Sequence, residues 1–428
     1  MILQLLSTGE ILILATVVCV ILFLIGLPIY LVFGFWGLIY HATSESFPIS
    51  NIALEHYDVL QTFPFTAIPL FILVGDLIYE SGIAAEVVDF TKETIGWWPG
   101  STGNTAIGTA SIFSAITGSN AATTASVGNA LYPQMQNEGY KDTYAAGTIA
   151  AGGVLGAIIP PSILLIIYGV AFGVSIIDLF KAGIAPGIGM LIVLVGINTY
   201  YSKKEDYGSQ TTPGINPLKI IKAGWRAKIG IGTIVILLGG IFAGIFTPTE
   251  SAAVAVIYIL ALSVGTGRIS SFEEILRASF SSLLLLGVII PMVVTSVLIQ
   301  QSMSNLGLQT TIANAVIGLQ NEFLILLAIL AIIWIAGTVM DATPNLLLTA
   351  PMLAPAAAEI GWGPIVWGMI FMMGDSVGFI TPPYGLNLYI ISGIAEIDYI
   401  RVARAVVPYL LGLVAVWIGY AVIHLYVI

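Results

Sequence analysis

The sequence has little charge, cysteine or histidine, and each shortage excludes a class of protein. Only 8% of its 428 residues are charged, whereas soluble domains carry about 25%. The single cysteine, Cys19, excludes a disulfide framework, a zinc cluster and an iron–sulfur site. The histidines, His41, His56 and His424, are expected in loops or at the extreme end, which does not indicate a histidine metal site. The net charge of −10 argues against a nucleic-acid partner, which needs a basic face.

Apolar residues are abundant instead. They make up 58% of the chain, and a run of about 20 forms a helix that crosses a membrane. The chain is therefore predicted to be an all-α polytopic membrane protein with about ten crossings. Hydropathy places them near residues 8–27, 28–41, 64–80, 142–176, 182–201, 227–246, 249–266, 283–300, 364–394 and 405–426. The amino terminus lacks a basic stretch before its apolar run, which predicts a retained helix and not a cleaved signal peptide.

Two further apolar stretches, 101–137 and 322–360, are interrupted in the middle by polar, helix-breaking clusters. The first cluster is Thr117-Gly118-Ser119-Asn120 and the second is Asp341-Ala342-Thr343-Pro344-Asn345. Non-helical backbone at membrane depth is tolerated only where it is buried in protein or lines a cavity. Both stretches are therefore predicted to be re-entrant helical hairpins.

The chain contains an internal repeat. A shift of 222 residues places Pro69 on Pro291, Gly156 on Gly378, and Pro160-Pro161 on Pro382-Pro383. A constant offset that carries two double prolines is not expected by chance. The repeat predicts a first half at 1–202, a cytoplasmic linker at 203–225 and a second half at 226–428.

Positive charge orients this model, because Lys and Arg concentrate on the cytoplasmic side. The linker and its flanks contain six of the 13 basic residues. With the linker inside, the N-terminus is periplasmic, each half crosses an odd number of times, and the second half is inverted relative to the first. All basic residues except Lys181 then fall inside, and the two hairpins open to opposite sides. Segments 84–95 and 271–282 are either interfacial helices or ordinary connecting helices.

Inverted repeats with broken helices are typical of secondary transporters. The sequences Gly156-Ala157-Ile158-Ile159-Pro160-Pro161 and Gly378-Phe379-Ile380-Thr381-Pro382-Pro383 each break a helix, because proline has no N–H to donate. The carbonyl groups before each double proline are therefore candidate sodium ligands. The alternative is that the prolines only kink packed helices.

Oxygen-bearing residues at the hairpin tips complete two predicted sodium sites. The first joins Gly118, Ser119 and Asn120 to the carbonyls of Gly156 and Ile159, and the second joins Asp341, Thr343 and Asn345 to Gly378 and Thr381. Asp341 is the main acidic candidate, since an intramembrane carboxylate is costly, although it could instead only cap a helix. Asp375 and Asp76 are weaker candidates, and Glu250 is interpreted as a first-turn helix carboxylate.

Other functions have less support. The sequence has no G-x-x-x-x-G-K-[ST] loop for ATP and no histidine beside a candidate nucleophile, so an enzyme is not predicted. A passive channel does not need a gate repeated with inverted symmetry, and a membrane scaffold does not need polar breaks at mid-depth.

The chain resembles the large membrane subunit of the tripartite ATP-independent periplasmic (TRAP) transporters. The resemblance rests on Gly152-Gly153-Val154-Leu155-Gly156-Ala157-Ile158-Ile159-Pro160-Pro161-Ser162, on Phe246-Thr247-Pro248-Thr249-Glu250-Ser251-Ala252-Ala253 and on Thr381-Pro382-Pro383-Tyr384-Gly385. It implies a sodium-driven elevator importer of organic acids in the bacterial inner membrane. It also implies two partners, a small four-helix membrane subunit and a periplasmic substrate-binding protein.

The tips lack Arg and Lys but are rich in hydroxyl and amide groups, which favours a sialic acid-like sugar acid over a C4-dicarboxylate. The candidate substrate ligands are Asn120, Thr123, Ser162, Asn345, Tyr384 and Asn387. The alternative functions are a sodium-coupled carboxylate carrier that works without a binding protein, and a passive channel.

Overall fold

The computed structural model describes residues 8–44, 52, 57, 66–207 and 215–427, and every extended regular element in these ranges is a helix. The first half contains α1 (Thr8–Leu24), α2 (Ile29–Thr43), α3 (Ala67–Glu80), α4 (Ile83–Ile95), α5 (Ser101–Thr117), α6 (Asn120–Asn137), α7 (Asp142–Gly153), α8 (Ile163–Phe172) and α9 (Ile176–Glu205). Next come α10 (Pro217–Arg226), α11 (Lys228–Phe242), α12 (Pro248–Gly265), α13 (Phe272–Asn305), α14 (Leu308–Ile317), α15 (Glu322–Gly337), α16 (Ala342–Glu359), α17 (Pro364–Gly378), α18 (Leu386–Ala395), α19 (Tyr399–Ala405) and α20 (Val407–Tyr426).

The order of the helices recurs between the two halves. Helices α5 and α6 form one hairpin, and α15 and α16 form the other. Each hairpin is followed by a helix that breaks at a cis double proline, Pro160-Pro161 between α7 and α8 and Pro382-Pro383 between α17 and α18. Helices α6 and α16 begin at residues 120 and 342, and α7 and α17 at 142 and 364, so each pair keeps the offset of 222. The boundaries of the halves and their inverted orientation stay predictions.

The helices fit a protein that crosses a membrane many times. Each of the ten apolar segments predicted from hydropathy overlaps at least one helix. Within the described ranges, α9, α12, α13 and α20 are long and apolar enough to cross as single helices. The pairs α3–α4 and α10–α11 also qualify when each is taken as one span, but they are bent by 79° and 76°. The other apolar segments are shorter helices, as expected where spans are interrupted.

One set of helices consists of the hairpins, the broken helices and the helices that pack against them. Asn198 of α9 donates to Asn104 Oδ1 of α5 at 2.9 Å, and Tyr409 of α20 donates to Tyr144 of α7 at 2.8 Å. Trp417 of α20 also donates to a carbonyl of α17. Helices α5–α9 and α15–α20 are therefore called the core group.

A second set of helices packs mainly on itself, and its helix α13 also packs along α16 of the core group. Ser282 of α13 donates to Asp76 Oδ2 of α3 at 2.6 Å, and Ser251 of α12 donates to the carbonyl of Leu237 in α11 at 3.0 Å. Helices α2 and α3 both pack along α13. Helices α1–α3 and α11–α13 are called the outer group, and α4 and α14 connect it to the core group.

Several local predictions need correction. Segment 271–282 is not a separate helix, because Ser271 and Glu274 form a capping box that starts the continuous 34-residue α13. The predicted linker, 203–225, contains the end of α9 and all of α10 except its last residue, and its bounds stay a prediction. His41 is not in a loop but buried in the last turn of α2, while His56 lies outside the described residues.

Candidate functional site

The first hairpin tip lies directly against the first helix break. The tip turns at Gly118, which has a φ of 59°, and Ser119 caps α6 by accepting from the Ala122 amide at 3.4 Å. The Ile163 amide, just after the double proline, donates to the Gly118 carbonyl at 3.2 Å. A Cβ atom on Gly156 would lie only 2.6 Å from the Ser119 carbonyl carbon. Glycine at 156 is therefore what allows the break and the tip to meet.

The second tip meets the second break in the same way. The Tyr384 amide donates to the Thr338 carbonyl at 3.0 Å, and a Cβ atom on Gly378 would lie 2.6 Å from the Gly337 oxygen. The turn occupies residues 338–341, so most of the predicted helix-breaking cluster belongs to the first turn of α16. Pro344 is tolerated there because amides of the first turn have no partner within the helix.

The two breaks differ in how many carbonyls are in use. In the described part of the chain, no hydrogen bond ends on the carbonyls of residues 156–159. At the second break, the Gly378 carbonyl accepts from the Thr381 amide at 3.0 Å and the Phe379 carbonyl from the Asn387 amide at 3.1 Å. The first break therefore has more carbonyl oxygens that accept no hydrogen bond than the second.

Buried polar side chains without partners surround the first tip. The amide atoms of Asn120 and the hydroxyls of Thr124 and Ser162 form no hydrogen bond with any described residue. Asn387, from the second half, donates to the Ala150 carbonyl of α7 at 3.0 Å, but its Oδ1 has no partner within the described ranges. Thr123, by contrast, is engaged, because its hydroxyl lies 3.1 Å from that of Thr117. Unpartnered buried polar atoms are costly, which points to a polar ligand at this place.

Two acidic residues, Asp341 and Asp375, lie at the second tip. Asn345 Nδ2 donates to Asp375 Oδ1 at 2.7 Å, and both residues are buried. Asn345 Oδ1 and Asp375 Oδ2 have no partner among the described residues. Asp341 stands at the N-cap of α16 without a capping hydrogen bond from its side chain, and its charge repels that of Asp375. Neither carboxylate pairs with a described Lys or Arg, so the pair needs a cation or a proton to be stable.

The remaining predicted residues have less distinct surroundings. Thr381 accepts from Trp334 Nε1 at 3.1 Å and donates to the Val377 carbonyl, so its hydroxyl is already used. Thr343 is buried in the first turn of α16, and Tyr384 is half-buried. Ile159 is half-buried, with its amide bonded to the Leu155 carbonyl at 2.9 Å.

Two further acidic residues have local partners. Asp76 accepts from Ser282 where α3 packs on α13. Glu250 forms a capping box with Thr247 at the start of α12, which confirms its interpretation as a first-turn carboxylate.

Sequence reasoning gave too little weight to Asp375 and Thr124. The repeat offset contained a signal for Asp375, because it places this residue on Gly153 of the first half. A Cβ atom on Gly153 would overlap the Thr124 hydroxyl and lie 3.0 Å from Asn387 Nδ2. The offset therefore pairs a carboxylate in one half with a glycine packed tightly against Thr124 in the other, which marks a place where the two sites diverge.

Known proteins share this architecture. The family model described as the tripartite ATP-independent periplasmic transporter, DctM component, matches residues 16–425. The chain belongs to this family. Several of its relatives are named as transporter permeases, and TRAP large permeases work with a small membrane subunit and a periplasmic binding protein. The family and the apolar helices make this TRAP large permease a multi-pass inner-membrane protein.

The relatives differ in the substrates that they are named for. The permease is 30% identical over 409 residues to the C4-dicarboxylate TRAP transporter large permease protein DctM of Rhodobacter capsulatus, covering 92% of each chain. It is 31% identical to the sialic acid TRAP transporter large permease protein SiaM of Vibrio cholerae, covering 91% of each. The isethionate TRAP transporter permease protein DctMQ of Oleidesulfovibrio alaskensis is 32% identical, and the match covers 92% of this chain but 62% of that longer protein.

A solved structure supports the fold alone. The YdaH transporter of Alcanivorax borkumensis superimposes with a TM-score of 0.63 at 14% identity, covering 87% of both chains.

Proposed function

We propose that this permease imports organic acids by sodium symport, together with a small four-helix subunit and a periplasmic binding protein. The observation that carries the proposal is that each hairpin tip lies against a broken helix, with buried oxygen atoms that lack partners on both sides. In secondary transporters, such places bind the coupling ion and the substrate. The N-terminus is proposed to be periplasmic, as the distribution of Lys and Arg requires.

The first sodium ion is proposed to bind among neutral oxygens. Gly156, whose carbonyl accepts no hydrogen bond from a described residue, packs against the tip that contains Ser119 and Asn120, whereas the Ile158 carbonyl lies against Gly183 of α9. Sodium accepts such a cage because it binds carbonyl oxygen without requiring a charged ligand. The first tip contains no titratable group, which argues against a proton as its coupling ion.

The second sodium ion is proposed to bind between Asp341, Asp375 and Asn345. Its charge would offset the repulsion of the two carboxylates, and Asn345 Oδ1 would supply a neutral ligand. Thr343, Gly378 and Thr381 stay candidate ligands, although the Thr381 hydroxyl and one lone pair of the Gly378 carbonyl are already used.

Charge neutralisation tests the second site. In proteoliposomes with both partner proteins, Asp341→Asn should weaken sodium dependence and uptake together, while the protein still inserts. Asp341→Ala should be at least as severe, because it also removes the oxygen. Asp76→Asn is the matched control, since it removes one half-buried carboxylate of the outer group. Unchanged sodium dependence in both Asp341 variants would leave Asp341 as a helix cap, and full uptake driven by a pH gradient alone would exclude sodium coupling.

A sugar acid is proposed as the substrate in preference to a dicarboxylate. Neither hairpin contains Arg or Lys, so a second carboxylate would lack a basic partner. Asn120, Thr124, Ser162 and Asn387 offer hydroxyl and amide groups that suit a polyhydroxylated monoacid. Calorimetry on the periplasmic partner with N-acetylneuraminate and with succinate tests this choice. Tight binding of succinate, and not of the sugar acid, would reverse it.

An elevator movement is proposed for the core group against the outer group. The mobile part is proposed to comprise about 84–176 and 305–394, together with α9 and α20, which pack against it. A Cβ atom on Gly75 of α3 would lie 3.5 Å from Cβ of Thr117 at the first tip, which is disulfide distance. In a Cys19→Ser background, oxidised Gly75→Cys/Thr117→Cys should stop uptake and dithiothreitol should restore it. Equal uptake by both forms would exclude the movement.

A further inference from the structure

Helix α10 has three distinct faces. Ala223 is buried and Gly224 lies near Phe90 of α4, so this side rests on the protein. A second side exposes an apolar stripe, in which Leu218, Ile221 and Trp225 are 70%, 68% and 71% exposed. On a helix these three residues fall on one side, because they are spaced by three and four positions.

The third face of α10 is basic. Lys219, Lys222 and Arg226 are exposed and lie beside the apolar stripe. Arg226 is 3.7 Å from Asp89 of α4, but Lys219 and Lys222 form no ion pair with any described residue. Glu93 lines the same cleft, so three helix cations face two carboxylates from α4. The helix therefore keeps a net positive face in a chain whose net charge is −10.

The direction of α10 suits a membrane surface. It is bent by 76° from the apolar α11, so it lies nearly parallel to the membrane when α11 runs across it. Lys228 Nζ also lies over the ring of Trp225, 4.7 Å from the ring centre. Trp at the headgroup level, with lysines extending towards the phosphates, is the arrangement of interfacial helices.

We propose that α10 binds anionic phospholipids of the cytoplasmic leaflet. The stripe of Leu218, Ile221 and Trp225 enters the acyl boundary, and Lys219 and Lys222 hold the phosphates. Charge complementarity selects this occupant, because a zwitterionic surface would leave both lysines without anionic partners. Since α10 rests on α4, bound lipid would also hold α4 in place, and α4 leads into the first hairpin. This inference rests on the membrane location of the family and not on sodium coupling.

The test places a fluorophore on the apolar stripe. In a Cys19→Ser background, Ile221→Cys is labelled with bimane, and Leu218→Cys serves as a second position if the first disturbs the helix. The permease with its small subunit is put into nanodiscs of phosphatidylcholine and phosphatidylglycerol in which one or the other lipid is brominated, and the ratio of the two quenching levels gives the relative affinity for the anionic lipid. Phosphatidylglycerol should be strongly preferred, and Lys219→Gln/Lys222→Gln should reduce the preference by about 25-fold, because each of the two basic residues near the surface contributes about fivefold.

A charge-matched variant completes the test. Lys203→Gln/Lys204→Gln at the end of α9 removes the same charge on the same side and should leave the preference unchanged. An equal loss in this control would mean general electrostatic attraction and would overturn the site. If inorganic phosphate at matched ionic strength abolishes the preference for phosphatidylglycerol, the two lysines bind a free anion and not a lipid. If neither brominated lipid quenches the bimane, and the bimane is shielded only when the small subunit is present, the occupant of the stripe is a protein.

Discussion

Gly156 and Gly378 provide a direct test of the two tip-to-break contacts. A Cβ atom on Gly156 would lie 2.6 Å from the Ser119 carbonyl carbon and 2.7 Å from the Asn120 amide nitrogen. On Gly378 it would lie 2.6 Å from the Gly337 carbonyl oxygen. All these neighbours are backbone atoms, so no flexible side chain can move away. Alanine at either position should therefore push a tip away from its break.

The displacement and its cost follow from these distances. Ordinary contact with a Cβ atom begins at 3.4 Å, so each tip must retreat by about 0.8 Å. Overpacking of this kind costs about 1–3 kcal/mol. If the cost falls on the state in which tip and break enclose the ion, occupancy of that state falls by about 5- to 150-fold. Gly156→Ala and Gly378→Ala should accordingly raise the sodium concentration for half-maximal uptake by a factor in this range.

The assay is the initial rate of sodium-driven uptake in proteoliposomes that contain both partners. Gly196→Ala is the control, because a Cβ atom there meets nothing within 4 Å in the middle of α9. Size-exclusion profiles and binding of the small subunit should be the same for all three variants. If Gly156→Ala and Gly378→Ala show the sodium dependence of the control, the contacts between tips and breaks play no part in ion binding.

Two further predictions concern buried polar groups. Asp375→Asn removes one of two mutually repelling carboxylates, so it should weaken sodium-dependent uptake about tenfold or more. It should also raise the unfolding temperature measured without sodium, because an amide avoids about 1–3 kcal/mol of the cost of desolvating a carboxylate. Uptake titrations and thermal unfolding measure both effects, and a variant that is less stable without sodium would contradict the charge repulsion. Tyr409→Phe removes the hydroxyl that lies 2.8 Å from Tyr144 and 2.9 Å from Thr148, and it should destabilise the contact between the halves by about 1–2 kcal/mol. An unchanged unfolding midpoint would show that these hydrogen bonds contribute no net stability.

The hairpins and broken helices were predictable because they depend on local chemistry. Proline removes a hydrogen-bond donor and glycine allows close approach wherever they occur, so both double prolines and the 222-residue offset predicted where helices end. The bounds of α5–α6 and α15–α16 follow the apolar stretches 101–137 and 322–360 closely. Hydropathy similarly located ten apolar segments, because the length of a spanning helix is set by the bilayer.

Helix continuity was harder to predict. The charged stretch 271–282 resembles an interfacial helix in composition, but its capping box starts a helix that continues into the membrane. His41 shows a similar limit, since a titratable residue near the end of an apolar run can be buried by neighbours that are distant in sequence. Local composition does not reveal these partners, which are set by tertiary packing.

The candidate site was predictable in position but not in detail. The tips and breaks identified the residues that meet, because each carries a strong local signal. Whether a carbonyl is free or already bonded depends on amides that approach from elsewhere, as at Gly378 and Phe379. Asp375 was given too little weight for the same reason, since its partner Asn345 lies 30 positions away in another helix.

The repeat explains both the likeness of the two sites and their difference. At the same offset, Ser119 corresponds to Asp341, Thr123 to Asn345 and Gly153 to Asp375, so both carboxylates belong to one site. The backbone geometry is preserved because it depends on glycine and proline, which both halves retain. The charge is not preserved, because a carboxylate on both sides of the repeat would leave four buried negative charges with no basic residue in either hairpin to offset them. Placing the charge at one tip keeps that cost to two carboxylates, and the neutral first tip retains more unpartnered hydroxyl and amide groups than the second.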